Sequence, residues 1–326
     1  MGMKDTVTIR YLRQNDIFAD VFNYFIYNGR KVIAPERLEE LDAREVEVPY
    51  GGEIGAEQSV QKTRDVIKTL MAMTDGRAAY LVLAIEAQSN IHYAMAVKNM
   101  VYDALQYAKQ VEEAAASHKA SGDYKNAGSD EYLSGFMKQD RLMPVVTLVI
   151  YFDSKKWDGA RTIHEMFAVQ DEELLSYVPD YKINLIEPAM MEKEDFDKFS
   201  TTLKEVLTFI KYSKDADRLQ EALNADPEFH HLGREEVDVL NACVNADLRL
   251  PESEVTLDVC EAIRVLNQRA AEEAVEKAAE KAERKRITTL VESINNLKKN
   301  MGWSSEKAME IMGLSESDRK AAAPFL

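Results

Sequence analysis

A strongly apolar segment, 80-YLVLAIEAQSN-90, ends with a carboxylate and an amide two residues apart. Side chains two residues apart in a strand point to the same face of a sheet. Glu86 and Gln88 therefore share a face with Ala84, whereas Ile85 lies on the opposite face. The segment predicts a buried strand that brings two polar side chains to one point at the end of a sheet.

A β-hairpin is predicted immediately before the end of this strand. The runs RDVIKTLMAM (64–73) and AAYLVLAIEAQ (78–88) flank Asp75–Gly76, a dipeptide typical of two-residue turns. Counting back from that turn along both strands places Asp65 directly opposite Glu86. Like charges about 4.5–5.5 Å apart destabilise a sheet unless something offsets them. The pair is explained either by a divalent cation such as Mg²⁺, or by solvation with one carboxyl at a raised pKa.

Helix and strand patterns alternate along the first part of the chain. Residues 14–27 predict a helix capped by Asn15 or Asp16, and residues 91–116 predict a long helix. The apolar stripe expected to be the buried face of the long helix comprises Val97, Met100, Val101, Ala104, Leu105 and Ala108. Further strands are predicted at 45–49, 144–152 and 181–187. This order predicts an α/β domain.

The sequence divides into three regions. Residues 1–190 form the α/β domain, and 191–268 form a helical region packed on it or following it. Residues 269–326 comprise a helix rich in Ala, Glu and Lys and a small helical tail, with i,i+4 charge pairs typical of a solvated helix. The long helix predicted from residue 256 onward offers a surface for a homodimer, and the tail offers a site for a protein partner.

Composition limits the classes of function. The formal net charge of −16 gives no support for a broad phosphate-binding surface. No apolar run reaches the roughly 20 residues that span a bilayer, and the N-terminal segment lacks a secretory signal, so we expect a cytoplasmic protein without membrane contact. Two cysteines indicate no disulfide framework. His230 and His231 adjoin a helix that carries Cys243, but their spacing does not match a common zinc motif.

The order of Asp65, the E-x-Q of residues 86–88 and a following helix HYAMAVKNMVYDALQY resembles the PD-(D/E)xK nuclease superfamily. Within it, the chain is similar to the bacterial recombination-promoting nuclease/putative transposase family. The opening 15-NDIFADVFNYFIYNGRKVIAP-35 and the tail 301-MGWSSEKAMEIMGL-314 also look like that group. The resemblance implies a restriction-endonuclease-like core, in which helices flank a mixed central sheet, followed by an all-helical C-terminal region.

The resemblance also implies roles for individual residues. Asp65, Glu86 and the Ala87 carbonyl would bind Mg²⁺ or Mn²⁺, and activated water would attack a DNA phosphate. Asp20 matches the position of an assisting acid on the first helix, although an ordinary exposed acid is an equal alternative. Gln88 stands where the superfamily name has Lys, and a neutral amide can orient water but cannot supply positive charge.

Two lysines are candidate sources of that charge. Lys98 lies early in the long helix, where a surface lysine is the simpler interpretation. Lys68 points to the opposite face of its strand from Asp65 and cannot substitute.

The sequence therefore predicts a Mg²⁺- or Mn²⁺-dependent DNA endonuclease, acting in recombination, mobile-element activity or phage defence. The alternative is a catalytically weak or inactive protein of this fold that binds DNA or a protein partner. The acidity of the chain and the uncharged Gln88 favour that alternative.

Overall fold

The computed structural model describes residues 3–40, 65–70, 81–123 and 127–326. The strand predicted at 45–49 and the Asp75–Gly76 turn lie outside these residues.

Five strands form one mixed sheet in the spatial order β1-β2-β3-β4-β5. Their bounds are Leu38–Glu40 (β1), Val66–Leu70 (β2), Leu81–Gln88 (β3), Val145–Tyr151 (β4) and Asn184–Ile186 (β5). The first three strands pair antiparallel, whereas β3-β4 and β4-β5 pair parallel. Two further short strands, β6 (Leu232–Gly233) and β7 (Thr256–Leu257), form a separate antiparallel ribbon. The predicted α/β class and mixed sheet are confirmed.

The register of β2 and β3 is the one counted back from the Asp-Gly dipeptide. Val66 pairs with Ile85, and Ile67 pairs with Ala84. Asp65 and Glu86 are therefore the next residues along the two strands, at the same end of the sheet.

Helices cover both faces of this sheet and form the region that follows it. They are α1 (Met3–Leu12), α2 (Asn15–Tyr27), α3 (Met95–Ser121), α4 (Ser129–Ser134), α5 (Glu172–Leu175), α6 (Lys193–Phe196), α7 (Leu203–Tyr212), α8 (Ala216–Ala225), α9 (Arg234–Val244), α10 (Val259–Met301), α11 (Ser305–Ile311) and α12 (Glu316–Ala322). On one face of the sheet, Met95 and Ala96 of α3 pack against Val149 and Tyr151 of β4. On the other face, Lys68 of β2 lies against Phe18 of α2.

The start of α2 differs from the prediction by one residue. Gln14, rather than Asn15 or Asp16, occupies the N-cap position, and its side chain makes no capping hydrogen bond. The Asn15 side chain is used elsewhere, because its amide oxygen accepts a hydrogen bond from Lys68. Lys68 is 1% exposed and also donates to the Arg13 carbonyl at 2.5 Å, so it points away from Asp65 as predicted.

The buried face of α3 was predicted wrongly. The residues of α3 that are buried are Met95, Ala96, Asn99, Tyr102, Asp103 and Gln106, and the apolar stripe beginning at Val97 is half-buried or exposed. Among them, Asp103 can be buried because both of its carboxylate oxygens accept hydrogen bonds. Thr147 of β4 donates to one oxygen of Asp103 and Tyr181 donates to the other, each at 2.6 Å. Apolar periodicity alone cannot identify a buried polar face of this kind.

Within the helical region, the sequence predicts one helix over residues 194–213, whereas the structure has two there, α6 and α7. The intervening residues Ser200 and Thr201 direct their backbone N–H groups and hydroxyls to Asp20 of α2, so they do not continue the helix. Strand β5 is also shorter than the 181–187 expected.

The described chain forms two compact units, Met1–Cys260 and Glu261–Leu326. In the second unit, Ile294, Ala308, Met309 and Ala322 form a small core. Residues 271–286 are exposed throughout, which agrees with the solvated helix predicted there. Among the described helices, none combines the length and the apolar character that crossing a membrane requires.

Candidate active site

The start of β2 and the end of β3 lie side by side at one end of the sheet, because the two strands are antiparallel. Asp65 directly precedes β2. Gln88 is the last residue of β3, and Glu86 lies two residues before it. Strands β4 and β5 run parallel to β3, so their C-terminal residues lie at this same end of the sheet. This arrangement gathers the polar ends of several strands in one place.

Asp65 is held against the end of β3. Its Oδ2 atom accepts a hydrogen bond of 2.8 Å from the backbone N–H of Ala87. The carboxylate is half-buried and lies beside the segment that carries Glu86. The structure therefore brings Asp65 together with Glu86 and Ala87, which are the three residues that the resemblance assigns to a metal.

Glu86 is a buried carboxylate with a cationic partner. The residue is 0% exposed, and its Oε2 atom accepts a hydrogen bond of 2.7 Å from Lys98 Nζ on α3. A carboxylate removed from water is costly unless a charge or hydrogen bonds compensate it. Lys98 supplies such compensation, so the α3–β3 contact at this point is electrostatic as well as apolar.

Lys98 is kept charged by its surroundings. Desolvation lowers the pKa of the ammonium group, but the charge of Glu86 and the hydrogen bond to it outweigh this effect. Asp65 contributes in the same direction, and the net shift of the pKa is upward. The ammonium group also lies 5.6 Å from the centroid of the Tyr102 ring, where the face of the ring attracts a cation. Lys98 therefore carries a fixed positive charge beside both carboxylates.

The interpretation of Lys98 as a plain surface lysine is thus wrong: its side chain is only 24% exposed. One sequence signal could have found it. Helical side chains lean toward the N-terminus of their helix, and α3 begins shortly after β3 ends. A lysine in the first turn of such a helix leans back toward the end of the strand.

Gln88 follows Glu86 on the same face of β3 and pairs with Tyr151 in the β4 register. Its backbone carbonyl accepts a hydrogen bond of 2.8 Å from the Phe152 N–H. The side chain is half-buried and has no hydrogen-bond partner among the described residues. Its amide is thus positioned by the strand alone.

Asp20 is placed elsewhere. It is 3% exposed, and its two oxygens accept five hydrogen bonds from Ser200 and Thr201, at 2.7–3.1 Å. Two carboxylate oxygens offer about four lone-pair sites, so these contacts occupy the carboxylate fully. The structure does not bring Asp20 into contact with Gln88 or Lys98, and its contacts support a role in fixing the loop before α7.

The donor set around Asp65 suits a hard cation. Mg²⁺ and Mn²⁺ take carboxylate, carbonyl and water oxygens, and Asp65 and Glu86 provide carboxylates from adjacent strands. Ala87, 7% exposed, lies between them with its backbone N–H bonded to Asp65. The residues present therefore fit such an ion, with Lys98 as a second positive charge on Glu86.

A sequence model of the family described as "Putative transposase, YhgA-like" matches residues 57–231, which is more than half of the chain. The chain belongs to this family. The matched YhgA-like region contains Asp65, Glu86, Gln88 and Lys98. No curated protein and no solved structure matches the sequence.

Proposed function

We propose that this YhgA-like protein is a Mg²⁺- or Mn²⁺-dependent DNA endonuclease with Asp65, Glu86, Gln88 and Lys98 in its active site. The observation that carries the proposal is a pair of contacts at the end of β3. Asp65 accepts a hydrogen bond from the Ala87 N–H, and the neighbouring Glu86 accepts one from Lys98. The element order α2-β1-β2-β3-α3-β4 supports a PD-(D/E)xK core, in which a helix precedes three antiparallel strands and a second helix leads to a parallel strand.

Each residue has a defined task in this proposal. Asp65, Glu86 and the Ala87 carbonyl hold the cation, which supplies a Lewis acid for the scissile phosphate when bound. Gln88 orients the attacking water through its amide, which can both donate and accept hydrogen bonds. Lys98 supplies the positive charge that a neutral Gln88 lacks, at 2.7 Å from Glu86.

Basic side chains near the site support DNA as the substrate. Lys155 and Lys156 are exposed and follow β4, which ends at the edge that carries Gln88. Lysines at such a position can neutralise phosphates despite the negative charge of the whole chain. The formal charge of −16 predicts that this contact is local and weakens strongly with salt.

The proposal is tested with Asp65→Asn, which keeps an oxygen for the Ala87 N–H but removes the charge. We expect nicking of supercoiled plasmid in Mg²⁺ to be lost, while the circular dichroism spectrum stays unchanged. Asp217→Asn, which neutralises an exposed acid on α8, is the matched control and should nick normally. Nicking by Asp65→Asn at the rate of the control would refute the active site.

A second candidate function is DNA or partner binding without turnover. The observation in its favour is that Lys98 already compensates Glu86, which lowers the need for a cation at that carboxylate. This candidate predicts that the wild-type protein retains DNA in a mobility-shift assay yet nicks no plasmid in Mg²⁺ or Mn²⁺. Strand transfer is a different reaction from hydrolysis. It would be indicated by products in which one DNA end is joined to another DNA molecule.

A further inference from the structure

A second group of metal-binding side chains lies outside the candidate active site. The antiparallel ribbon pairs Leu232 of β6 with Leu257 of β7. His230 lies two residues before the start of β6, and Asp258 and Cys260 follow β7. The ribbon therefore joins side chains that are far apart in the sequence, and all three belong to the unit Met1–Cys260.

The three side chains present different donor atoms to one point. One imidazole nitrogen, one carboxylate oxygen and the Cys260 sulfur lie within 4.8 Å of one another. His230 Nδ1 and Asp258 Oδ2 are 2.8 Å apart. Small side-chain rotations would bring the three atoms to the separations of about 3.5 Å that metal–ligand bonds of about 2.0–2.3 Å impose.

The backbone that carries these donors is fixed by buried apolar neighbours. Phe229 is 1% exposed and precedes His230, and Val259, between the other two donors, is 0% exposed. The donors themselves remain accessible, since the side chains of His230 and Asp258 are 46% and 44% exposed. An ion from solution can reach the group, and little backbone has to be ordered when it binds.

The chemistry of the donors selects the ion. Imidazole and thiolate suit Zn²⁺, whereas Mg²⁺ prefers oxygen ligands alone. We propose that His230, Asp258 and Cys260 form a Zn²⁺ site, with water as the fourth ligand. This site differs in ligand type from the all-oxygen set at Asp65 and Glu86. The zinc proposal does not depend on whether the protein is a nuclease.

Zinc at this position has a structural consequence. It would link the turn at Pro227–His230 to the first residues of α10, in addition to the β6-β7 ribbon and the buried side chains of Phe229 and Val259. An ion that binds only the folded state adds to the free energy of unfolding. The competing explanation is an exposed His230–Asp258 hydrogen bond, with the Cys260 thiol donating to the Leu223 carbonyl at 3.4 Å.

The proposal is tested by titrating Co²⁺, a spectroscopic substitute for Zn²⁺, into chelator-treated full-length protein. We expect one thiolate-bound ion per chain, counted by its sulfur-to-cobalt charge-transfer absorption in the near ultraviolet, and displacement of that ion by an equivalent of Zn²⁺. An ion held by the oxygen ligands at Asp65 and Glu86 would not contribute to this absorption. Cys260→Ser should lose this absorption. His230→Gln and Asp258→Asn should weaken binding at least tenfold but keep the thiolate signal at high Co²⁺.

The chain provides matched controls for two ligands. Cys243→Ser removes the other cysteine, and His231→Gln changes the adjacent histidine; both should bind Co²⁺ as the wild type does. Asp65→Asn should also keep the signal, which separates this site from the candidate active site. Absence of the signal in the wild-type protein, or its equal loss in Cys243→Ser, would overturn the proposal. So would unchanged binding in His230→Gln.

Discussion

At the scale of single residues, Lys98 carries the charge that the sequence motif lacks. Lys98→Met retains the stem over Tyr102 but leaves the buried Glu86 without its cation. We expect plasmid nicking to fall by about 100-fold, a loss typical of removing one charge-stabilising group from an active site. Lys98→Arg keeps the charge and should retain more activity than Lys98→Met.

The control for this prediction is on the same helix. Lys109 forms an i,i+4 ion pair with Glu113 at 3.9 Å and follows Lys98 by about three helical turns. Lys109→Met should therefore nick at the wild-type rate. If Lys98→Met is as active as Lys109→Met, Lys98 neutralises Glu86 in the folded protein but takes no part in the reaction.

Glu205 of α7 gives a prediction for stability against pH. Burial, followed by the nearby charge of Asp226, raises the pKa of Glu205 from 4.5 to about 7. The folded state therefore holds this proton more tightly than the unfolded state. The resulting contribution to the free energy of unfolding is complete below pH 4.5. It is lost as the pH rises through about 7. Urea unfolding should show a free energy that declines over this interval.

Glu205→Gln isolates this contribution because it is neutral at every pH. The variant should lose part of the decline between pH 5 and pH 8, and it should be more stable than the wild type at the higher pH. Lys204 remains in place in the variant and keeps its 2.7 Å contact with Asp226. An identical pH dependence in both proteins would mean that Glu205 is ionised at neutral pH.

At the scale of elements, the start of α7 depends on Asp20. This buried carboxylate accepts the N–H groups of Ser200 and Thr201, just before the helix begins at Leu203. Asp20→Ala leaves these donors without their partner, and a buried donor left unpaired typically costs about 1–3 kcal/mol. We expect a lower free energy of unfolding and unchanged nicking by the folded fraction. Lost nicking at normal stability would instead support the assisting acid that the family resemblance implies.

Elements also show how far the sequence predicts this site. The register that brings Asp65 to Glu86 follows from a turn dipeptide and the two-residue period of strands, both of which are local. The side of α3 that faces the sheet does not follow from the sequence. Asp103 is buried with a hydrogen bond from Thr147, on a strand more than 40 residues later, so apolar periodicity gives the wrong face.

The same limit applies to the proposed zinc site. His230 lies beside His231 and close to Cys243 in the sequence, which draws attention to the wrong cysteine. The β6-β7 ribbon consists of two residues per strand, too short for any periodic signal. Only the folded chain places Cys260 near His230.

At the scale of the whole molecule, the candidate active site lies in only one of the two compact units. The candidate active site and the proposed zinc site both belong to Met1–Cys260, whereas the second unit has a small core of its own. A chain ending at Gln268 removes the exposed part of α10 and the tail but keeps every ligand. We expect it to fold and to nick plasmid at the wild-type rate.

Comparing the full-length protein with the chain that ends at Gln268 also tests self-association. The exposed stretch 271–286 has i,i+4 ion pairs such as Glu273–Lys277 and few large apolar residues, so any dimer formed through it would be weak and sensitive to salt. Light scattering coupled to size-exclusion chromatography should show a concentration-dependent mass for the full chain at low salt. The shortened chain should remain monomeric. A shortened chain that still dimerises would place the interface within residues 1–268 rather than on the exposed stretch of α10 or the tail.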